Sequence, residues 1–173
     1  PSDSEIADKH YNQGVTLHGQ GQYRSAINEF TQAIRFDSEY IDGYFMRGSS
    51  YHELGNYERA LGDYGTVIEL NPEDSMTYSN RALTFYKMGR LAEGITDLNI
   101  AIGLDPNNAE IHFNLGRAHF ASGRLSQALG SFTRSTKLEK ENGEYHYYLG
   151  QVYEKILKTR KRVSHSLRLS KIR

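Results

Sequence analysis

The sequence has no cysteine and no tryptophan, and only three prolines among 173 residues. Without cysteine there is no disulfide framework, no thiolate nucleophile and no thiolate-based metal site. No apolar run approaches the roughly 18 residues that mark a membrane-spanning helix. The opening PSDSEIADKH lacks the basic start and apolar stretch of a secretory signal, so a cytoplasmic chain without a membrane span is expected. No strand pattern is present, and Gly19-x-Gly21 therefore lacks the preceding strand that a nucleotide-binding fingerprint needs.

The formal net charge is zero, but it conceals two opposed regions. Residues 1–154 hold 13 Lys or Arg against 21 Asp or Glu, whereas 155–173 hold 8 Lys or Arg and no acidic residue. The body is acidic and the tail basic, with Lys155, Lys158, Arg160, Lys161 and Arg162 crowded into eight residues. Such a tail suits an acidic partner: anionic lipid, nucleic acid or an acidic protein segment. The plainer alternatives are a solvated helix end and attraction to the acidic body.

What the chain has in abundance is a period. In Ile41–Asp74 the marks are Tyr44, Gly48, Tyr51, Gly55, Tyr57, Ala60, Tyr64 and Pro72. A shift of 34 residues upstream gives His10, Gly14, Leu17, Gly21, Tyr23, Ala26, Phe30 and Ser38. Downstream shifts give Tyr78, Ala82, Phe85, Gly89, Leu91, Gly94, Leu98 and Pro106, then His112, Gly116, His119, Gly123, Leu125, Ala128, Phe132 and Lys140. No insertion interrupts the series, and this period is the signature of stacked helix-turn-helix units.

Each mark has a physical reason. Gly14, Gly48, Ala82 and Gly116 stand where two helices cross closely, and Ala26, Ala60, Gly94 and Ala128 stand opposite them, although glycine inside a helix costs about 0.5–1 kcal/mol. Gly21, Gly55, Gly89 and Gly123 suit helix C-termini that need positive φ. Pro72 and Pro106 stop one helix or open the next. The first helix is expected from about Glu5 to Gly19, after a frayed Pro1–Ser4.

On these residues the chain resembles the tetratricopeptide repeat (TPR) family. The resemblance implies an all-α, right-handed superhelical solenoid of antiparallel helix pairs, about nine helices in all. Its repeats fall at 7–40, 41–74, 75–108 and 109–142, after an extension at 1–6. Residues 143–157 read as a capping helix or partial fifth repeat, because solenoid ends need covering. There Leu157 replaces the turn glycine, Arg162 the small residue and Ser166 the aromatic. Residues 158–173 are either a basic tail or a second capping helix with Val163, Leu167 and Ile172 facing inward.

No constellation supports catalysis. Of the seven histidines, His10, His112, His146 and His119 occupy aromatic packing positions, and His18 and His52 lie one repeat apart without a third ligand. No enzyme activity, metal or cofactor is expected. The family implies that first helices line a concave groove, which places Tyr11, Asn12, Phe45, Met46, His52, Met76, Asn80, Tyr86, Phe113, Asn114, Arg117, Phe120, Tyr147 and Tyr148 on a peptide-binding surface. Asn12, Asn80 and Asn114 share one repeat position, where amides can hold an extended backbone. Met46 interrupts that series.

The implied function is a non-enzymatic scaffold or adaptor that binds a peptide or protein segment. The alternative is a structural repeat domain that self-associates or assembles a larger complex. A two-carboxylate clamp for chaperone tails is not expected, since its positions hold Phe45, Ser49, Asn80, Glu110 and Asn114. Only Asn80 fits.

Overall fold

The computed structural model describes residues 1–170, which form nine α-helices and no strand. They are α1 (Asp3–Gly19), α2 (Tyr23–Phe36), α3 (Ile41–Glu53), α4 (Tyr57–Leu70), α5 (Ser75–Lys87), α6 (Leu91–Leu104), α7 (Ala109–Ala121), α8 (Leu125–Leu138) and α9 (Gly143–Ser170). Ile172 lies outside the described residues.

The turns inside each pair repeat one design. Gly21, Gly55, Gly89 and Gly123 have φ between 72° and 75°. The following N–H groups, those of Gln22, Asn56, Arg90 and Arg124, donate back to Leu17, Tyr51, Phe85 and His119 at 2.8–2.9 Å. This is the Schellman closure, in which an αL residue satisfies carbonyls at the helix end.

Helix starts are fixed by caps that the proline pattern does not show. Asp74, Asn108 and Asn142, each one period apart, accept from the first-turn N–H groups of α5, α7 and α9. At the N-terminus the first helix starts two residues before the expected Glu5. The Ser2 hydroxyl accepts from Glu5 N–H while Ser2 N–H donates to the Glu5 carboxylate at 2.7 Å, a capping box that starts α1 at Asp3.

The helices form two compact units, Pro1–Leu104 and Asp105–Arg173. In the first, α1–α2, α3–α4 and α5–α6 are antiparallel partners, α2 packs on α3 and α4 on α5, and the first helices α1, α3 and α5 are successive neighbours. Its core is built from Ala7, Ala26, Phe30, Ala33, Ala60, Tyr64 and Val67, all at 0–1% exposure. In the second, α7 pairs with α8, and α8 with α9, around Ala109, Phe113, Ala128, Phe132, Tyr145 and Val152.

Close crossings explain the small residues. A β-carbon on Gly14 would stand 2.6 Å from the Phe30 ring, one on Gly48 3.0 Å from Tyr64, and one on Gly116 2.7 Å from Phe132. In the third repeat the facing residue is Leu98, and there the position carries Ala82. A flat ring tucked under the first helix leaves no room for a methyl group.

The C-terminal segment is one helix. α9 runs unbroken past Leu157, the place where earlier repeats turn on glycine. Without a residue that favours positive φ the chain continues in α conformation, and a separate second capping helix does not form. Tyr145, Val152 and, less deeply, Leu149 and Ile156 pack on the second unit's core. Val163 and Leu167 do not face inward; they are 53% and 58% exposed.

Candidate functional site

In the first unit the faces of α1, α3 and α5 carry the candidate residues, and their surroundings separate packing from presentation. Tyr11 is half-buried, 5.9 Å from Phe30 and 5.3 Å from Tyr40 between ring centroids. Burial, with the Asp42 charge, pushes its phenol pKa up. Phe45 lies 5.9 Å from Tyr64. Both rings serve the helix interface with one side and leave the other partly open. Asn12 and Met76 are exposed, while Met46, His52, Asn80 and Tyr86 are half-buried. Asn80 Nδ2 donates to the Met76 carbonyl at 2.9 Å, one turn back in its own helix. Its second amide hydrogen and its oxygen keep their bonding capacity.

Histidines link neighbouring first helices. The His18 ring meets Ser50 Oγ at 2.9 Å through Nδ1, and His52 meets Thr84 Oγ1 at 2.8 Å in the same way. Each hydroxyl already donates to a carbonyl of its own helix, Ser50 to Met46 and Thr84 to Asn80. Each therefore accepts from a histidine Nδ1–H. That fixes the tautomer and makes Nε2 the lone-pair nitrogen. An edge contact with Tyr23 holds the His18 ring and a tilted contact with Tyr57 holds that of His52. Burial pushes both pKa values down, opposed by Glu53 at both rings and assisted by Lys87 at His52. At neutral pH the pair presents acceptors, not cations.

Part-buried ion pairs, which the repeat marks do not include, orient the same helices. Arg47 Nε and Nη2 donate to both Asp63 carboxylate oxygens at 2.8 and 2.7 Å, and Arg81 repeats the fork on Asp97 at 2.7 and 2.8 Å. The two arginines are one period apart, as are the two aspartates. In the fourth repeat Leu115 and Ser131 replace both partners together. That joint change within the chain was the available signal.

The packing histidines have more specific work than filling space. His10 Nδ1 donates to Glu29 at 2.7 Å while its ring stacks on Phe36. His112 and His146 donate through Nε2 to the carbonyls of Pro106 and Lys140 at 2.9 and 2.7 Å, and Tyr44 donates to Ser38 in the equivalent way. The last three contacts tie α3, α7 and α9 to the loops before them.

The second unit corrects part of the candidate surface. Phe113 is 4% exposed, stacked 4.6 Å from Tyr145 and edge-on to Tyr148 at 5.2 Å. It is a core residue because α9 brings two tyrosines onto it. Tyr148 and Phe120 are half-buried against that core. Asn114 and Arg117 are also half-buried, with the Arg117 guanidinium 5.8 Å from the Phe113 ring centroid. Tyr147, at 62% exposure, is the most exposed of the aromatic candidates. Phe120 and Val152 take the places of the histidine and hydroxyl found between repeats of the first unit.

Among the described residues no group of three or more His, Asp or Glu is arranged to hold a metal ion, and no helix is long and apolar enough to cross a membrane.

Comparison with known proteins gives this arrangement its family. The TPR repeat model matches residues 14–55, 48–89 and 84–123, and the tetratricopeptide repeat model matches 109–142. The chain belongs to the tetratricopeptide repeat family, with the all-α fold that defines it. No curated protein matches the sequence. Among solved structures, MamA 41-end from Desulfovibrio magneticus RS-1 is similar with a TM-score of 0.81 at 18% identity, over 96% of this chain and 94% of that one. The first TPR of Spaghetti (RPAP3), bound to the HSP90 peptide SRMEEVD, gives 0.67 at 24% identity over 70% and 96%. YrrB, described as a TPR protein with an unusual peptide-binding site, gives 0.69 at 20% over 84% and 75%. At such identities the likeness is one of fold.

Proposed function

We propose that this chain is a non-enzymatic protein-interaction module, and that the face of α1, α3 and α5 takes an extended peptide or protein segment. The observation that carries the reading is the row of hydrogen-bonding groups along that face. Asn12, the Nε2 atoms of His18 and His52, and the remaining valences of Asn80 alternate with the apolar surface of Met46, Met76 and Tyr86. A peptide backbone offers N–H groups to the histidine acceptors and C=O groups to the amides, and its side chains find the apolar steps between.

The binding of a chaperone peptide by RPAP3 and the peptide-binding site of YrrB lend support, since both proteins share this fold. The ligand chemistry differs from a clamp for acidic tails. Along these helices exposed Asp3, Glu5, Asp8, Asp42 and Glu53 outnumber exposed Lys9 and Lys87, so a neutral or basic segment is favoured. In the second unit, Asn114, Arg117, Phe120, Tyr147 and Tyr148 are the candidates for a further contact, with Phe113 beneath them.

The test is a peptide array probed with the intact chain, followed by anisotropy titration of the peptides retained. His52→Ala with Asn80→Ala should weaken a retained peptide by about 1–3 kcal/mol while leaving helicity unchanged, the scale of unmade buried hydrogen bonds. Unchanged affinity removes this face from the site. A concentration series showing a stable dimer that covers the face would favour self-assembly instead.

A further inference from the structure

The C-terminal half of α9 is not explained by packing. From Tyr153 to Arg168 it carries exposed Tyr153, Leu157, Val163 and Leu167, at 51–58% exposure. It also carries exposed Lys155, Lys158, Arg160, Lys161, Arg162 and Arg168. At about 100° per residue the four apolar side chains fall within an arc of about 120°, and every cation except Arg160 falls outside it. Arg160 lies within the arc, where a long aliphatic stem can lie along apolar surface while its head reaches out. After Glu154 the sequence contains no acidic residue.

We propose that this half of α9 is a docking face for an anionic phospholipid surface, on which the helix lies in the plane of the headgroups. The division into an apolar arc and a cationic arc is the one an interfacial helix requires, with apolar side chains below the headgroups and cations among the phosphates. Charge complementarity selects the surface. Other acidic occupants fit less well. Nucleic acid would engage the cations and leave the apolar arc in water. A second copy stacked end to end would offer α1, whose exposed residues include Asp3, Asp8, Lys9, Asn12, Gln13 and Thr16, with Val15 its one exposed large apolar side chain. A coiled-coil partner would meet Thr159 and Ser166 in the seam that continues Val152, Ile156 and Val163.

The experiment is flotation of the full chain with vesicles of phosphatidylcholine alone or with about a third phosphatidylserine, at low and high salt. Binding is expected on the anionic vesicles, lost at high salt and absent on phosphatidylcholine. Lys161→Glu with Arg162→Glu, and separately Val163→Glu with Leu167→Glu, should each weaken it on the order of tenfold or more. Thermal melts establish that both variants fold. Because the chain has no tryptophan, Leu167→Trp reports insertion directly, through a blue-shifted emission shielded from iodide. Absence of binding to anionic vesicles overturns the proposal. Binding that survives Val163→Glu with Leu167→Glu, or an unshifted emission, reduces it to simple charge adsorption and also overturns it. Association with an oligonucleotide but not vesicles, or a dimer abolished by the same apolar pair, assigns the face to those occupants.

Discussion

The backbone of Gly116 lies so close to Phe132 that a methyl group on it would stand 2.7 Å from the ring. The chain carries its own control in the third repeat, where Leu98 replaces the aromatic and Ala82 the glycine. Gly116→Ala should therefore destabilise by about 1–3 kcal/mol, the range for overpacking, despite its gain in helix propensity. Combining it with Phe132→Leu should recover part of the loss, giving a coupling term of opposite sign. Gly150→Ala, with open space around its β-carbon, should be neutral or stabilising by about 1 kcal/mol. Urea unfolding of Gly116→Ala, Phe132→Leu, their combination and Gly150→Ala checks all three statements.

The Arg47–Asp63 fork yields a second prediction. The side chains are 18% and 8% exposed, and Arg47 also donates to Thr31 at 3.2 Å. Asp63→Ser alone leaves a guanidinium among helices without its counter-charge. It should cost about 3 kcal/mol, the lower end for breaking a buried pair because Arg47 retains some water. Arg47→Leu with Asp63→Ser copies the fourth repeat and should recover most of that stability. A double variant as unstable as the sum of the singles would show that the fork, not the avoidance of an unpaired charge, holds α3 to α4.

The 34-residue period made the helix pairs legible because each crossing poses the same steric problem and accepts the same few residues. The turn glycines were legible for an equally local reason. What the period could not show was where the environment, not the position, decides. Tyr11, Phe45, Ser79, Phe113 and Tyr147 occupy equivalent places. Two are half-buried, Ser79 and Phe113 are buried, and Tyr147 is exposed. In the second unit Tyr145 and Tyr148 cover Phe113, a contact between residues of different repeats that no single-repeat pattern contains. The Ser2–Glu5 capping box, by contrast, is legible as S-x-x-E at the start of the chain.

Histidine burial sets the acid response. Burial pushes the pKa of His18, His52 and His119 below the ordinary value, at His119 with help from Arg124. A folded-state value below the unfolded one means that the unfolded chain binds more protons as pH falls through about 6.5. The contribution is intact above that pH and is lost as pH drops toward the folded-state values. Urea midpoints should therefore fall between pH 7.5 and 5.5. His119 is 9% exposed, and its Nδ1 has no hydrogen-bond partner among the described residues. His119→Phe, the counterpart of Phe85, should raise stability by about 1 kcal/mol and flatten the slope. An unchanged slope would place the titration elsewhere.

The last prediction separates the two halves of α9. Tyr145, Leu149, Val152 and Ile156 pack on the second unit's core. Beyond Ile156 the helix exposes its side chains through Arg168, and its Glu154–Lys158 ion pair is a surface i,i+4 contact. Such fully exposed pairs add little to folding and are screened over roughly 8 Å at physiological salt. Truncation after Thr159 should therefore leave the melting temperature within a few degrees of the parent, with a small loss of helical signal in proportion to the residues removed. Truncation before Gly143 uncovers Phe113 and Phe132, two aromatic rings that α9 now shields. Each would expose apolar surface worth about 1.5–3 kcal/mol, so aggregation or a large fall in melting temperature should follow. If loss of residues 160–173 alone melts the protein, the exposed half of α9 contributes to folding, and its apolar arc is a structural contact instead of a docking face.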